Sequence, residues 1–245
     1  GGPPPDGIPP IDSPQFETVD DYLGLEPLEP VISLEINGEA RAYPLEILIW
    51  HEIVNDELAG VPVSVTFCPL YNTAIVFDRR LDGTVYDFGT SGMLRHSDLV
   101  MYGRQTHSLW QQFTGEALVG DLTGKKLAFI PAAIVSWHEF KQAHPDGLVL
   151  SRDTGYDRMY GVNPYAGYDR VDQPPFLFFG ELDERLLPME RVLALSEGDE
   201  AVAFPFSALA GKEIVVLYEP ETVSALDQTY IPQSRQVDST ADFSP

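Results

Sequence analysis

The sequence has one cysteine, few lysines and no long apolar run. A single cysteine, Cys68, excludes an internal disulfide and a cysteine-rich zinc finger. Four lysines and eleven arginines face 38 acidic residues, and the net charge of −23 repels nucleic-acid phosphates and anionic lipids. No stretch reaches the roughly 18–20 apolar residues that a membrane helix needs. We therefore expect neither a nucleic-acid partner nor a membrane-spanning helix.

The remaining composition is typical of a globular protein that is adapted to salt. The chain has 245 residues, of which 44% are hydrophobic, enough to bury a sizeable core. A shortage of lysine with a surplus of aspartate and glutamate is typical of halophiles, because hydrated carboxylates keep a protein soluble in brine. We interpret the charge as an adaptation to salt and not as a binding site.

The chain is predicted to have three parts. Residues 1–16 are rich in glycine and proline and predict a flexible tether, at the start of a mature or trimmed protein. Residues 17–185 form the main domain with the candidate site. Residues 186–245 form a partial second repeat packed on the first, because residues 196–206 echo residues 35–45.

The periodicity predicts a β-rich α+β fold of twisted antiparallel sheets, in which a decayed internal duplication is one interpretation. Asn37-Gly38 between two apolar runs is a strong hairpin signal. A helix over residues 45–56 carries apolar residues nearly all round and should be buried. A second helix, on the surface, is expected over residues 132–144.

Cys68 and His51 are the candidate catalytic residues. Cys68 follows a strand of β-branched residues, and a thiol at a strand end is typical of nucleophiles and metal ligands. If the buried helix packs on that strand, His51 meets Cys68, either as an activated thiolate pair or as half of a soft metal site. The alternative is a buried thiol and a core histidine that bonds a backbone carbonyl.

A metal site would draw further ligands from Met101 and His96. A soft set of cysteine, histidine and methionine favours copper, or zinc without an axial methionine. The common hydrolase, NTPase, dehydrogenase and zincin motifs are absent from the sequence.

Two charged pairs and a tyrosine complete the candidate ligand-binding residues. They are Asp98, Arg104, Arg152, Asp153 and Tyr71. Pairs of arginine and aspartate are more often structural than catalytic. The loop that follows Arg152 is rich in glycine, proline and tyrosine, and is predicted either to close over a pocket or to cover a sheet face.

Four ordered motifs carry a resemblance to a known family. They are GEARAYPLEILIWHEIVND, VTFCPLYNTAIVFDR, SGMLRHSDLVMYGRQTHSLWQQFTGEA and HPDGLVLSRDTGY. In this order they resemble the family known as domain of unknown function 3179, with a haloarchaeal member as the expected source. The resemblance implies a secreted or membrane-anchored bacterial or archaeal protein and no particular activity. The family often has a second cysteine at the position that Tyr71 occupies here, and this departure argues against a dithiol redox mechanism for this chain.

These observations leave three functional hypotheses. The first is an extracellular or cell-surface protein that binds copper (or zinc) through Cys68 and His51, for redox chemistry or metal handling, with Asp98 and Arg104 orienting the ligands. The second is a metal-free cysteine enzyme, in which His51 is the base and an arginine anchors an acidic substrate. The third is a non-catalytic ligand-binding or scaffold module that uses the tyrosine-rich loop. The partner is a small molecule or a metal ion, and membrane contact is expected only through an N-terminal anchor outside this chain.

Overall fold

The computed structural model describes residues 2–197, 200–205 and 218–240. Within these residues the protein is an α+β fold dominated by strands, as predicted, with two short α-helices. Neither helix has the length and apolar character that crossing a membrane requires.

The strands are numbered in chain order. The first ten are β1 (Phe16–Thr18), β2 (Pro30–Ile36), β3 (Glu39–Pro44), β4 (Ile53–Leu58), β5 (Val61–Cys68), β6 (Thr73–Asp78), β7 (Arg80–Leu81), β8 (Thr84–Val85), β9 (Phe88–Arg95) and β10 (Asp98–Gly103). The others are β11 (Leu109–Gln111), β12 (Ala117–Val119), β13 (Phe129–Ile130), β14 (Ala133–Ser136), β15 (Leu148–Leu150), β16 (Val192–Glu197), β17 (Glu200–Pro205), β18 (Tyr218–Val223) and β19 (Gln236–Thr240). The helices are α1 (Leu45–His51) and α2 (Trp137–Ala143), and a 3₁₀ turn covers Ile231–Gln233.

Three sheets contain most of the strands between Phe16 and Leu150. One has the order β1-β15-β3-β2-β14, the second β12-β11-β10-β9, and the third β13-β6-β5-β4. The pairs within these sheets are antiparallel, except that β15 runs parallel to β3. Three two-stranded ribbons complete the described strands: β7-β8, β16-β17 and β18-β19.

Helix α1 is buried as predicted, but it ends at His51 and not at residue 56. Glu52 adopts a left-handed backbone conformation with φ of 60°, which an α-helix cannot continue. The chain then enters β4, which pairs with β5. The apolar run after Glu52 is therefore a buried strand, and a short apolar run does not distinguish a strand from a helix by its periodicity.

Helix α2 is also shorter than the predicted range of residues 132–144. Ser136 ends strand β14 and caps the helix, because its hydroxyl oxygen accepts a hydrogen bond from the Glu139 N–H at 3.2 Å. The four residues of β14 pair with β2 instead of forming the first helical turn. Trp137 and Phe140 are the buried residues of this helix.

The segment before β1, predicted to be a tether, is packed against the strands of the fold. Ile11 is 1% exposed and bridges to Val54. The Asp6 N–H donates to the Thr90 carbonyl oxygen at 2.8 Å. These contacts place the segment beside β4 and β9.

The residues of the predicted repeat form two hairpins of the same kind. Strands β2 and β3 pair through Ile36 and Glu39, and strands β16 and β17 pair through Glu197 and Glu200. In both hairpins two residues separate the strands. The predicted counterpart of strand β5 lies mostly in residues 206–217, outside the described residues, and the duplication stays a prediction.

Candidate functional site

Four segments converge around Cys68. They are the end of α1, the end of β5, the turn between β9 and β10, and the loop of residues 156–179, which we call the tyrosine loop. The carbonyl oxygen of Glu52 accepts a hydrogen bond from the Phe67 N–H at 2.8 Å, which holds the end of α1 beside the end of β5. Glu52 and Asp98 are buried carboxyls whose charges act on the buried Cys68 thiol, and we call these three side chains the thiol–carboxyl cluster.

Cys68 is the centre of this cluster. Its side chain is buried, and the thiol donates a weak hydrogen bond to the Ser97 carbonyl oxygen at 3.8 Å. Burial raises the pKa of the thiol, and the charges of Glu52 and Asp98 raise it further. In this conformation Cys68 is therefore a protonated thiol at neutral pH.

Glu52 is the first carboxyl neighbour of the thiol. It is 8% exposed, and its left-handed backbone turns the chain from α1 into β4. Burial raises the pKa of its carboxyl from 4.5 to about 8. Glu52 is thus mostly protonated at neutral pH.

Asp98 is the second carboxyl neighbour. Its Oδ2 accepts a hydrogen bond from the Phe113 N–H at 2.9 Å, and its buried Oδ1 has no partner among the described residues. Burial raises the pKa of Asp98 to about 6, although the Phe113 N–H opposes the rise. Asp98 is mostly ionised at neutral pH. The pKa values of the two carboxyls therefore lie on opposite sides of pH 7.

The turn that delivers Asp98 is strained. His96 and Ser97 both have left-handed backbones, with φ of 52° and 70°, in a two-residue hairpin turn that usually contains asparagine or glycine. Backbone strain of this kind is concentrated at functional sites. His96 itself is exposed, with its ring centroid 6.1 Å from that of Phe178.

The tyrosine loop covers the cluster. The Tyr168 hydroxyl donates to the Leu70 carbonyl oxygen at 3.1 Å and accepts a hydrogen bond from the Phe176 N–H at 3.0 Å. The Ser97 hydroxyl also donates to the Phe176 carbonyl oxygen. Burial raises the pKa of Tyr165, and the charges of Glu52 and Cys68 add to the rise. These contacts close the loop over the thiol.

His51 is buried and has a partner on each ring nitrogen. Nδ1 lies 2.7 Å from the Pro9 carbonyl oxygen, which can only accept, so Nδ1 carries the proton. Nε2 therefore accepts from the Tyr160 hydroxyl, also at 2.7 Å. Burial lowers the pKa of His51, which keeps the ring neutral. The structure thus gives His51 and Cys68 separate partners.

The other two candidate metal ligands, Met101 and His96, have different environments. Met101 is packed in the same apolar cluster as Cys68, whereas His96 is exposed. Among the described residues no group of three histidine, cysteine, aspartate or glutamate side chains is placed to hold a metal ion.

The predicted arginines form ion pairs away from the thiol. Arg104 pairs with Asp12 at 2.6 Å and with Asp6 at 3.3 Å, and so holds the N-terminal segment. Arg152 binds both carboxylate oxygens of Glu46, at 2.8 and 2.5 Å. Asp153, by contrast, is exposed.

Tyr71 borders the cluster. Burial raises the pKa of its hydroxyl, and the nearby charges of Asp98 and Cys68 add to the rise. Its ring packs edge-on against Phe113, with centroids 5.1 Å apart. Tyr71 therefore lines the approach to Cys68.

The sequence patterns did not point to Glu52, Glu46 or Tyr160. Glu52 lay inside the predicted helix, where a polar residue suggests an exposed position. Glu46 occupies the first turn of α1, where an acid commonly complements the helix dipole and draws no attention. The useful signal was the tyrosine content of the loop, which is high for a solvated connection.

Comparisons with known proteins identify a family and nothing closer. Neither the curated proteins nor the solved structures include a match to this chain. The model of the family described as Protein of unknown function (DUF3179) matches residues 5–242, which is nearly the whole chain. The chain belongs to the DUF3179 family.

Proposed function

We propose that this protein is a metal-free, thiol-dependent enzyme in which Cys68 is the nucleophile. The observation that carries the proposal is the burial of the Cys68 thiol near two buried carboxyls, Glu52 and Asp98. Burial raises the pKa to about 6 for Asp98 and to about 8 for Glu52. Neighbouring acids whose pKa values are driven to opposite sides of neutrality are characteristic of acid–base catalysis.

The two carboxyls suit different proton transfers. Asp98 is ionised at neutral pH, and it accepts the thiol proton as Cys68 attacks an electrophilic atom of the substrate. Glu52 is protonated at the same pH, and it donates its proton to the leaving group. This half of the reaction leaves Cys68 covalently bound to the substrate group. Water then attacks that group and displaces the sulfur: ionised Glu52 accepts a proton from the water, and protonated Asp98 returns a proton to Cys68.

The charges around the thiol restrict the substrate. Glu52 and Asp98 both raise the pKa of Cys68, so the cluster disfavours additional negative charge. Arg104 and Arg152, which the sequence offered as anchors for an acidic substrate, are engaged by carboxylates elsewhere. We infer a small uncharged electrophile, which enters when the tyrosine loop opens.

A copper or zinc site at Cys68 and His51 has less support. Both ring nitrogens of His51 are hydrogen-bonded, and the bond to Pro9 fixes the proton on Nδ1. A metal would have to displace Tyr160 from Nε2. Copper binding therefore stays a prediction that the donor geometry does not favour.

The test of the proposal is the rate at which iodoacetamide alkylates Cys68 in the folded protein, followed by intact mass. If Asp98 accepts the thiol proton, Asp98→Asn slows alkylation at pH 7.5 by about tenfold or more. If Asp98 acts only through its charge, the same change lowers the pKa of the thiol and speeds alkylation, which would contradict the proposal. Asp121→Asn, at an exposed site, is the matched control and should leave the rate unchanged.

We also propose that the protein is haloarchaeal and works outside the cytoplasm. The support is the shortage of lysine, the net charge of −23 and the secreted or anchored character that the family resemblance implies. The expected result is a thermal unfolding midpoint that rises steadily between about 0.1 and about 3 M KCl, the range in which carboxylate repulsion is screened. A midpoint that is independent of salt would contradict the adaptation to brine.

A further inference from the structure

Two adjoining cavities are lined by residues outside the thiol–carboxyl cluster. The first has a volume of about 320 Å³ and contains Arg152 and Glu46 in its wall. The second has a volume of about 440 Å³. Glu26, Glu29 and Pro232 line both, so the cavities meet at Glu29.

The cation in the wall of the first cavity is already neutralised. Arg152 binds Glu46 through two hydrogen bonds, and its Nη2 also donates to the Gly24 carbonyl oxygen at 2.8 Å. With this pair balanced, Glu26 and Glu29 leave the cavities with an excess of negative charge. A cationic ligand is therefore favoured over an anionic one.

Glu29 has a buried oxygen without a partner. The residue is 2% exposed, and its Oε2 accepts a hydrogen bond from the Glu26 N–H at 2.7 Å. Its Oε1 is buried and has no hydrogen-bond partner among the described residues. An unpartnered buried carboxylate oxygen is costly, and a ligand that donates a hydrogen bond removes the cost.

The second cavity, which Glu29 also lines, offers an apolar surface. Leu28, Val223 and Pro232 are part of its lining, and an alkyl chain would be sheltered from water there. A ligand with a charged hydrogen-bond donor at one end and an apolar chain at the other would match Glu29 and this apolar surface.

We propose that Glu29 is the anionic end of a binding site for a primary alkylammonium ion whose chain lies in the second cavity. The site shares no residue with the thiol–carboxyl cluster. Its test therefore does not depend on the proposed enzymatic activity. A free alkylamine and the side chain of a lysine share this chemistry, and titration with each of them distinguishes the two sources.

The site should depend on pH in a defined direction. Burial raises the pKa of Glu29 to about 7; the charge of Glu46 adds to the rise, whereas the Glu26 N–H and the charge of Arg152 oppose it. The nearby charge of Glu26 also raises the pKa. An alkylammonium keeps its charge across this range, so binding requires ionised Glu29 and weakens as the pH falls below about 7.

The experiment is calorimetric titration of the full chain with n-butylammonium chloride at pH 8. We expect Glu29→Gln to weaken binding by about tenfold or more, and Glu39→Gln, at an exposed position, to leave it unchanged. n-Butanol and butyrate, which lack the cation, should not bind. Nα-acetyl-lysine amide binds as tightly as n-butylammonium if the natural ligand is a lysine side chain, and at least about tenfold more weakly if it is a free amine.

Binding by the unaltered chain supplies a second measurement that does not depend on the folding of a variant. Its affinity for n-butylammonium should fall by about tenfold between pH 8 and pH 6, as Glu29 takes up a proton. The proposal is overturned if n-butylammonium does not bind, if butanol binds equally well, or if affinity rises as the pH falls.

Discussion

Helix α1 carries a buried glutamate at each end, and the two have opposite environments. Glu46, in the first turn, is bound by Arg152 through both oxygens and by the Tyr22 hydroxyl at 3.1 Å. Glu52, directly after the last turn, lies near the Cys68 thiol, and burial raises the pKa of its carboxyl to about 8. One helix thus supplies both a paired charge and a proton-holding group.

The comparison shows why burial alone does not mark a functional acid. Burial raises the pKa of both carboxyls, but the hydrogen bond and the charge of Arg152 oppose the rise at Glu46. The paired carboxylate holds residue 152 and the start of the tyrosine loop against α1, which is a structural role. The Glu52 carboxyl has no such ion pair among the described residues. Its pKa lies near neutral pH, where the group is able to exchange protons.

The largest expected effect comes from removing the unpaired acid. The pKa of the Glu52 carboxyl is near 4.5 in the unfolded chain and about 8 in the folded chain, so the folded state holds an extra proton between these values. Relative to Glu52→Gln, the unfolding free energy of the unaltered chain should fall by about 3–4 kcal/mol as the pH rises from 5 to 8. Urea unfolding at several pH values measures this difference.

The control for that series is Glu39→Gln, at an exposed carboxyl. The difference in unfolding free energy between Glu39→Gln and the unaltered chain should not change over the same pH range. If the difference in unfolding free energy for Glu52→Gln is also independent of pH, Glu52 titrates as an ordinary surface acid. The two ends of α1 would then not differ in the way described.

The next effect comes from removing the cation at the other end. Arg152→Met leaves the buried Glu46 carboxylate without its ion pair, and we expect a loss of about 2–3 kcal/mol in unfolding free energy. The value lies at the low end for buried pairs because the Arg152 side chain is 43% exposed and screened by solvent. Urea unfolding at pH 7 provides the measurement.

Arg170→Met is the matched variant for this change. Arg170 pairs with Asp172 at 3.0 Å, but both side chains are exposed, and such pairs contribute under about 1 kcal/mol. Equal losses in the two arginine variants would show that Glu46 is not held as a buried charge.

The smallest expected effect concerns access to the thiol. Tyr168→Phe removes the hydroxyl that links Leu70 to Phe176, each link contributing about 1 kcal/mol at most. Opening of the tyrosine loop becomes easier, and alkylation of Cys68 by iodoacetamide should accelerate by about threefold to tenfold. Tyr156→Phe, in the exposed part of the same loop, should not change the rate. Faster alkylation in both variants would show that the Tyr168 hydroxyl is not specifically responsible for holding the loop closed.

Much of the fold could be predicted because its signals are local. Asn37-Gly38 predicts a hairpin, and the strands on either side pair through Ile36 and Glu39. The start of α1 after Pro44 is likewise a local feature. The end of α1 was harder, because the apolar residues after Glu52 suit a buried strand as well as a buried helix.

The candidate site was less accessible to sequence reasoning because it depends on contacts between distant segments. Cys68 draws attention as the one cysteine of the sequence, and Asp98 as part of a charged pair. Their proximity depends on how β5 meets the turn before β10, which no local pattern encodes. The same holds for His51, whose partners Pro9 and Tyr160 are 42 and 109 residues away along the chain.

A ¹³C NMR titration of the carboxyl carbons of Glu52 and Asp98 in the folded protein tests the thiol–carboxyl cluster without relying on a substrate. We predict titration midpoints at the pKa values of about 8 for Glu52 and about 6 for Asp98, with each signal assigned through Glu52→Gln and Asp98→Asn. Midpoints near about 4 for both carboxyls, the values of exposed acids, would contradict a thiol site that exchanges protons with its two buried neighbours.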